Sequence, residues 1–361
     1  MAQPSFETHL IHPDSTDHPR NDSASIAELP DGTLLLAWMR FNASDHGYQD
    51  EGPDEIVSAR SSDGGRSWSE PRSLIQTRAG DHNVYTPSLL VLDDASVLLT
   101  YHVYHHIEWG KPLDASCYAL LSTDDGRSFQ PLTTVWEHKS RGEANNTLVR
   151  LSTGRLLKCS CEATAWAQPP AGTVTCGCSL SDDNGRSWRD CTTWVGLPLR
   201  GAMEAHIAES SDGSLAMTMR TQIGAVFLSR SRDDGDTWSR PQTTTLASPE
   251  SMPVLAGVPD AHAMVAVWND APYDPTIHHY GNRTPLTLAV SHDDGVTFGR
   301  HLNIVSDPQR YYTNPSVSFT RSGTTLVTWW TYCDKRTTGI STFEGCGLYL
   351  AIADTAQLLR R

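Results

Sequence analysis

The chain has 361 residues, is 38% hydrophobic with 21 prolines, and carries a formal net charge of −14 at neutral pH. This is the composition of a loop-rich globular protein, and its acidic balance excludes a general affinity for nucleic acid. No apolar run approaches the roughly 18 residues of a membrane span, and Met1 to Glu7 hold neither a basic nor an apolar leader, so a cytoplasmic location is expected.

In chain order, the first element is a short strand over Phe6–Ile11. Six units follow, each opened by a hairpin in which polar turn residues precede an alternating apolar run. The turns are Pro30-Asp31-Gly32, Asp93-Asp94-Ala95, Ser152-Thr153-Gly154, Ser211-Asp212-Gly213, Pro259-Asp260-Ala261 and Arg321-Ser322-Gly323. Between them runs a second signal, Ser-x-Asp-x-Gly-x-(Ser/Thr)-(Trp/Phe), written five times. Its copies are Ser61–Trp68, Ser122–Phe129, Ser181–Trp188, Ser231–Trp238 and Ser291–Phe298.

Both signals recur roughly every 60 residues, the mark of one supersecondary unit repeated. Each unit reads as strand, hairpin, strand, longer connection, strand, octapeptide turn, strand. Four antiparallel strands per unit predict an all-β, six-bladed β-propeller occupying residues 1–361 as one domain. The sixth unit lacks an octapeptide because the chain ends on Gly347–Ala353, so Phe6–Ile11 is expected to complete that blade and remove its exposed edge. The octapeptide itself reads as structural. Its Asp can accept turn amides, its Gly permits positive φ, and its aromatic ring packs between sheets. Cys159-x-Cys161 and Cys176-x-Cys178 have metal-like spacing, but each lies in a strand-like run, so buried thiols are expected and no metal or cofactor.

Antiparallel order gathers the starts of the first strands, the ends of the second and the starts of the third on one rim, around the central opening. Arg20, His82, Glu204 and Tyr312 fall at first-strand starts, and Arg40 and Arg220 at second-strand ends. Arg283 begins the fifth unit's third strand, and Asp45 and Asp50 lie in the first unit's connection. Arg20, Arg220 and Arg283 therefore converge on one mouth although distant in sequence. Three guanidiniums in an acidic protein point to a carboxylate ligand held by bidentate, charge-assisted bonds. Arg40 and His82 are further binding candidates on that rim.

From about Arg20 to Phe319 the chain resembles the sialidase superfamily, whose repeats of this form are called Asp boxes or BNR repeats. Gly201-Ala-Met-Glu204 with Met217-Thr-Met-Arg220 is similar to the stretch carrying a glutamate and the second binding arginine. Asn282-Arg283-Thr-Pro resembles the segment with the third, and Arg310-Tyr-Tyr312-Thr-Asn-Pro the one with a nucleophilic tyrosine. The resemblance implies that Arg20, Arg220 and Arg283 bind a sugar carboxylate, that Glu204 draws the proton from Tyr312, and that an aspartate is acid/base. Asp50 is nearest by position, with Asp45 the runner-up, and Tyr311 competes with Tyr312. A phenol of pKa about 10 needs such a base, and a neutral nucleophile avoids pressing a carboxylate against an anionic centre. The first-arginine segment departs from the family pattern, reading His18-Pro19-Arg20-Asn21-Asp22.

The expected activity is an exo-acting glycoside hydrolase on a terminal acidic sugar, sialic acid or a related 2-keto-3-deoxy sugar acid. Two alternatives stand beside it. His82, His102, His105 and His106 with Tyr85 and Arg141 could serve a uronate lyase, which needs a base and a cation. A non-catalytic carbohydrate-binding propeller is the other.

Overall fold

The computed structural model describes residues 4–45, 50, 52–108, 110–166, 173–277, 280–333 and 346–360. Its strands form six antiparallel sheets, and four have the plain four-strand meander that the repeat predicts. From the centre outward the first blade is Arg20–Glu28, Leu34–Phe41, Asp54–Ser61 and Arg72–Gln76. The second is Asn83–Val91, Val97–His106, Asp114–Ser122 and Gln130–Lys139. The fourth is Met203–Glu209, Leu215–Arg220, Ala225–Ser231 and Gln242–Ala247. The fifth is Val254–Gly257, Met264–Asn269, Leu286–Ser291 and Leu302–Val305.

The other two blades depart from this plan. In the third, the innermost strand is split into Arg141–Gly142 and Leu148–Arg150, and the outermost into Arg189–Asp190 and Val195–Gly196. The sixth joins the two ends of the chain. Glu7–Pro13 pairs with Gly347–Asp354 as the outermost strand, outside Thr324–Cys333 and Arg310–Phe319. The expected closing strand is present, two residues longer at its far end than the sequence indicated. A single turn of helix, Thr355–Leu358, ends the described chain, with Asp354 capping its start by accepting from Gln357 N at 2.8 Å.

Six apolar clusters hold the blades together, one at each junction. Trp38, Trp268 and Trp329 are each about 1% exposed or less and anchor three of them. The octapeptides fasten the same junctions at the rim away from the central mouth. In the first copy Asp63 Oδ1 accepts from Arg66 N and Ser67 N at 3.0 Å, and Ser61 Oγ accepts from Gly65 N at 2.8 Å. These donors hold Asp63 and Asp124 well below the usual carboxylate range, the Ser67 and Ser128 hydroxyls being the strongest. The glycine of the second copy does more than turn the chain. A Cβ on Gly126 would stand 2.4 Å from Leu35 of the first blade, so this turn seats directly on its neighbour. Cys159 and Cys161 face Cys178 and Cys176 across adjacent strands as free, buried thiols, with burial pushing Cys159 and Cys161 up to about 12.

One buried carboxyl at the first junction makes stability pH-dependent. Asp14 accepts from Trp330 Nε1 at 2.9 Å and Asn21 Nδ2 at 3.2 Å, and burial raises it to about 7. A carboxyl raised above its unfolded value of about 4 stabilises the fold when protonated. That contribution is complete below about pH 4 and is lost as pH rises through about 7. Asp14→Asn keeps an acceptor for the indole and is expected to gain on the order of 2 kcal/mol over wild type at pH 8, and little at pH 4. Urea denaturation at the two pH values checks this.

Candidate active site at the central mouth

Four of the inner strands break register at the same place, between Asp22 and Ser25, Tyr85 and Ser88, Met203 and His206, and Thr313 and Ser316. Each break holds one residue at positive φ: Ser23 at 55°, Thr86 at 44°, Glu204 at 48° and Asn314 at 50°. A bulge re-aims a side chain out of the sheet. All four residues line one cavity of about 560 Å³ at the mouth of the ring.

Just ahead of Glu204 the chain makes a close approach. Gly201 has φ 99°, and a Cβ there would stand 1.9 Å from Val174 O. Gly201→Ala is therefore expected to cost roughly 3 kcal/mol of stability, or else to push residues 200–204 out of place. Thermal unfolding together with ligand titration separates the two outcomes.

The fourth and fifth blades give the cavity a cationic wall. Arg220 Nη1 donates to both oxygens of Glu204 at 2.9 and 3.0 Å, and its Nη2 donates to Glu250 Oε1 at 3.2 Å. Arg200 Nη1 donates to the same Glu250 oxygen, and Gln222 Nε2 to its other oxygen at 2.7 Å. Arg283 Nη2 donates to the backbone carbonyl of Glu250 at 3.1 Å, and its guanidinium lies 4.3 Å over the Tyr280 ring. Glu250 is fully buried and, despite that burial, is held below its ordinary value by Arg220 and Arg200.

The opposite wall is built on the first blade. Arg20 donates through Nε and Nη2 to Asp22 at 2.9 and 2.5 Å, and through Nη1 to Asp50 at 2.6 Å. Its guanidinium lies 4.5 Å from the centre of the Phe41 ring and 5.0 Å from that of Trp330. Tyr85 donates its hydroxyl to Asp50 at 2.9 Å, and Asn314 Nδ2 donates to Asp22 at 2.8 Å. Burial pushes the Asp50 carboxyl up, but Arg20 and Tyr85 outweigh it and hold the group below the usual range. In this arrangement Asp50 is ionised at neutral pH. To donate a proton it must first leave Arg20.

Below these walls the ring's centre holds a buried polar cluster. Lys158 Nζ lies 2.6 Å from Glu143 and donates to Thr147 Oγ1 at 2.6 Å, with His102 Nδ1 3.7 Å from the same carboxylate. Burial would raise Glu143, but Lys158 wins and keeps it below its ordinary value, while burial lowers His102.

The cavity gathers Arg20, Asp50, Glu204, Arg220 and Arg283, as the sequence led us to expect. Three expected residues are not on it. Tyr312 is 3% exposed, packs in the apolar cluster between the fifth and sixth blades, and accepts from Asp307 N at 3.0 Å through its hydroxyl. Arg40 is turned to Glu55, donating through Nε and Nη2 at 3.1 and 2.6 Å. His82 bonds the carbonyl of His105 at 3.3 Å and stacks edge-on to His106. The first error is one of counting along a bulged strand. Asn314, not Tyr312, stands as far from its hairpin glycine Gly323 as Glu204 does from Gly213. Tyr311 is buried beneath Tyr280 and Tyr332, with ring centres 5.9 and 5.4 Å away, and Asp45 lies outside the lining.

The tyrosines on the cavity are Tyr85, Tyr104, Tyr280 and Tyr332. Tyr280 and Tyr332 bond each other at 3.2 Å. A Cβ on Gly142 would stand 3.0 Å from the Tyr104 hydroxyl, and Gly142 pairs with Cys161, beside the backbone of Glu204. These contacts bring Tyr104 toward the Glu204 segment, and the charges of Asp50, Glu143 and Glu204 add to the burial that raises its pKa. Among the described residues no group of His, Cys, Asp and Glu side chains is arranged to hold a metal ion.

The blades, their Asp-box fasteners and a mouth walled by arginines and carboxylates define a propeller of the sialidase superfamily. The chain belongs to the BNR repeat-like domain family, whose model matches residues 13–327. It is 26% identical over 306 residues to a sialidase of Micromonospora viridifaciens, covering 76% of this chain and 44% of that protein. The chain thus spans less than half the length of that relative. Among solved structures, a protein of unknown function from Dyadobacter fermentans superposes with TM-score 0.75 at 18% identity, covering 96% of this chain and 98% of that one. The NanB sialidase of Streptococcus pneumoniae superposes with TM-score 0.74 at 13% identity, covering 97% and 71%. At such identities these two likenesses concern the fold.

Proposed function

We propose that this protein is an exo-acting glycoside hydrolase releasing a terminal acidic sugar, sialic acid or a related 2-keto-3-deoxy sugar acid. The observation that carries this reading is the cationic wall of the fourth and fifth blades: Arg200, Arg220 and Arg283 against Glu204 and Glu250, in a protein of net charge −14. Guanidiniums so gathered against the sign of the whole chain suit a carboxylate. The sialidase relatives support a carbohydrate substrate.

In this reading the sugar carboxylate meets the arginines and the anomeric carbon faces Glu204. Glu204 takes the proton of the Tyr104 phenol, which attacks the anomeric carbon. Asp50, freed from Arg20 as substrate enters and then protonated, gives its proton to the leaving oxygen. A water, deprotonated by the same aspartate, then attacks the anomeric carbon and displaces the Tyr104 phenolate, which takes its proton back from Glu204, and the sugar leaves with retained configuration. The asparagine at the sixth-blade bulge favours a second course, in which Glu204 activates water directly and configuration inverts. The histidines of the lyase reading draw no support, since His82 and His105 bond outside the cavity and Arg141 is held by Glu162 and Asp190.

Trapping with a 2,3-difluorinated sialic acid and mass spectrometry of the digest tests the nucleophile. Label on the Tyr104 peptide, lost in Tyr104→Phe, is expected. Label on another cavity tyrosine would reassign the nucleophile. Turnover without label, giving the inverted anomer by proton NMR, would replace the tyrosine course by the water course.

A further inference from the structure

The resemblance to the sialidase superfamily assigns the carboxylate clamp to Arg20, Arg220 and Arg283. The side chains are arranged differently. Arg20 already serves two carboxylates, Asp22 and Asp50, and lies between two aromatic rings. Its wall has one guanidinium against two carboxylates. On the opposite wall three guanidiniums, those of Arg200, Arg220 and Arg283, face two carboxylates and share Glu250: two take its Oε1 and the third its carbonyl. Three guanidiniums against two carboxylates leave one positive charge in excess on this wall, which an incoming carboxylate balances.

We propose that Arg200 is a substrate-binding residue that completes the carboxylate clamp with Arg220 and Arg283 in place of Arg20, and that Glu250 is the positioning residue that aligns the three. This deepens the acidic-sugar reading and rests on it. Arg200 is 5% exposed yet lines the cavity, so its charge is sheltered from water where a bidentate bond is strongest. Burial, with Arg220 beside it, pulls its guanidinium below the ordinary value, and a bound carboxylate would restore it. Arg20 instead holds Asp50 beside Tyr85.

The test compares one ligand with and without its charge, 2-deoxy-2,3-didehydro-N-acetylneuraminic acid against its methyl ester, by calorimetric titration of the full chain. Wild type is expected to prefer the acid on the order of 100-fold. Arg200→Ala should cut that preference about 30-fold while moving the ester's affinity less than about threefold. Arg200→Lys, which keeps the charge and guards against a folding defect, should recover only part of it, because the fork is lost. Glu250→Gln should reduce the same preference about tenfold, a change that a purely structural role would not confine to the acid. Arg20→Lys should leave the preference intact. Full preference in both Arg200 variants, or its collapse in Arg20→Lys, overturns the clamp and leaves the acidic-sugar reading standing. Equal binding of acid and ester by wild type overturns the acidic-sugar reading, and the clamp with it.

Discussion

Arg220→Ala is expected to lower kcat/KM toward an acidic glycoside about a thousandfold while the protein remains folded. The reason is that Arg220 has two duties. It donates to both oxygens of Glu204 and to Glu250, so its removal leaves two carboxylates of a small cavity without their shared cation. Leaving one partner of a buried pair alone costs about 3–5 kcal/mol, which converts to roughly two to four powers of ten. The residual repulsion acts on the substrate's own carboxylate as well, so KM rises and kcat falls together. Arg220→Lys should recover little, since one ammonium cannot serve three oxygens in the plane of a guanidinium. Steady-state kinetics beside thermal unfolding check both variants, and activity within about tenfold of wild type would count against the role.

The second large effect lies in the centre of the ring. Lys158→Met should destabilise the fold by about 3–5 kcal/mol, because Glu143 would be left charged and fully buried with only a distant histidine. Without Lys158, the burial that already pushes Glu143 upward is no longer outweighed. The variant should then lose stability as pH rises, since a raised carboxyl folds protonated. Adding Glu143→Gln removes the orphaned charge and should restore most of the loss. A double-mutant cycle by urea denaturation measures the coupling. A loss in the double variant equal to the sum of the two single losses would mean that the pair is not coupled.

Much of the fold was legible because its signals are local. Each octapeptide writes its own turn, with Ser61, Asp63 and Gly65 bonded within a few residues of one another, and each hairpin carries its own breaker. Strand direction follows from those turns, and it places Glu204, Arg220 and Arg283 at the mouth, where they line the cavity. The closing strand was legible by count instead, since the sixth unit ends on Gly347–Ala353 one strand short and Phe6–Ile11 was left to complete it.

The site was legible only in part, because its side chains are aimed by bulges and by partners far away in the chain. A strand alternates faces, but a bulge at Thr313 and Asn314 shifts the count, so Tyr312 turned into the core and Asn314 into the cavity. Arg40 and His82 were placed on the right rim, yet Glu55 and the His105 carbonyl claim them. Arg200 and Glu250 lie just ahead of inner strands, where no periodicity marks them, and only their mutual contact shows their importance. Asp22, two residues from Arg20, is the signal that could have been read: an acid so near was placed to take that guanidinium.

The most direct measurement offers the purified protein fluorogenic glycosides of sialic acid, a 2-keto-3-deoxy sugar acid, a uronic acid and a neutral sugar. Release of fluorophore and free sugar acid from at least one of the first two, with none from the neutral glycoside, is the predicted result. Release from the neutral glycoside at an equal rate, an ultraviolet-absorbing unsaturated product from the uronide, or no release from any acidic glycoside would contradict it.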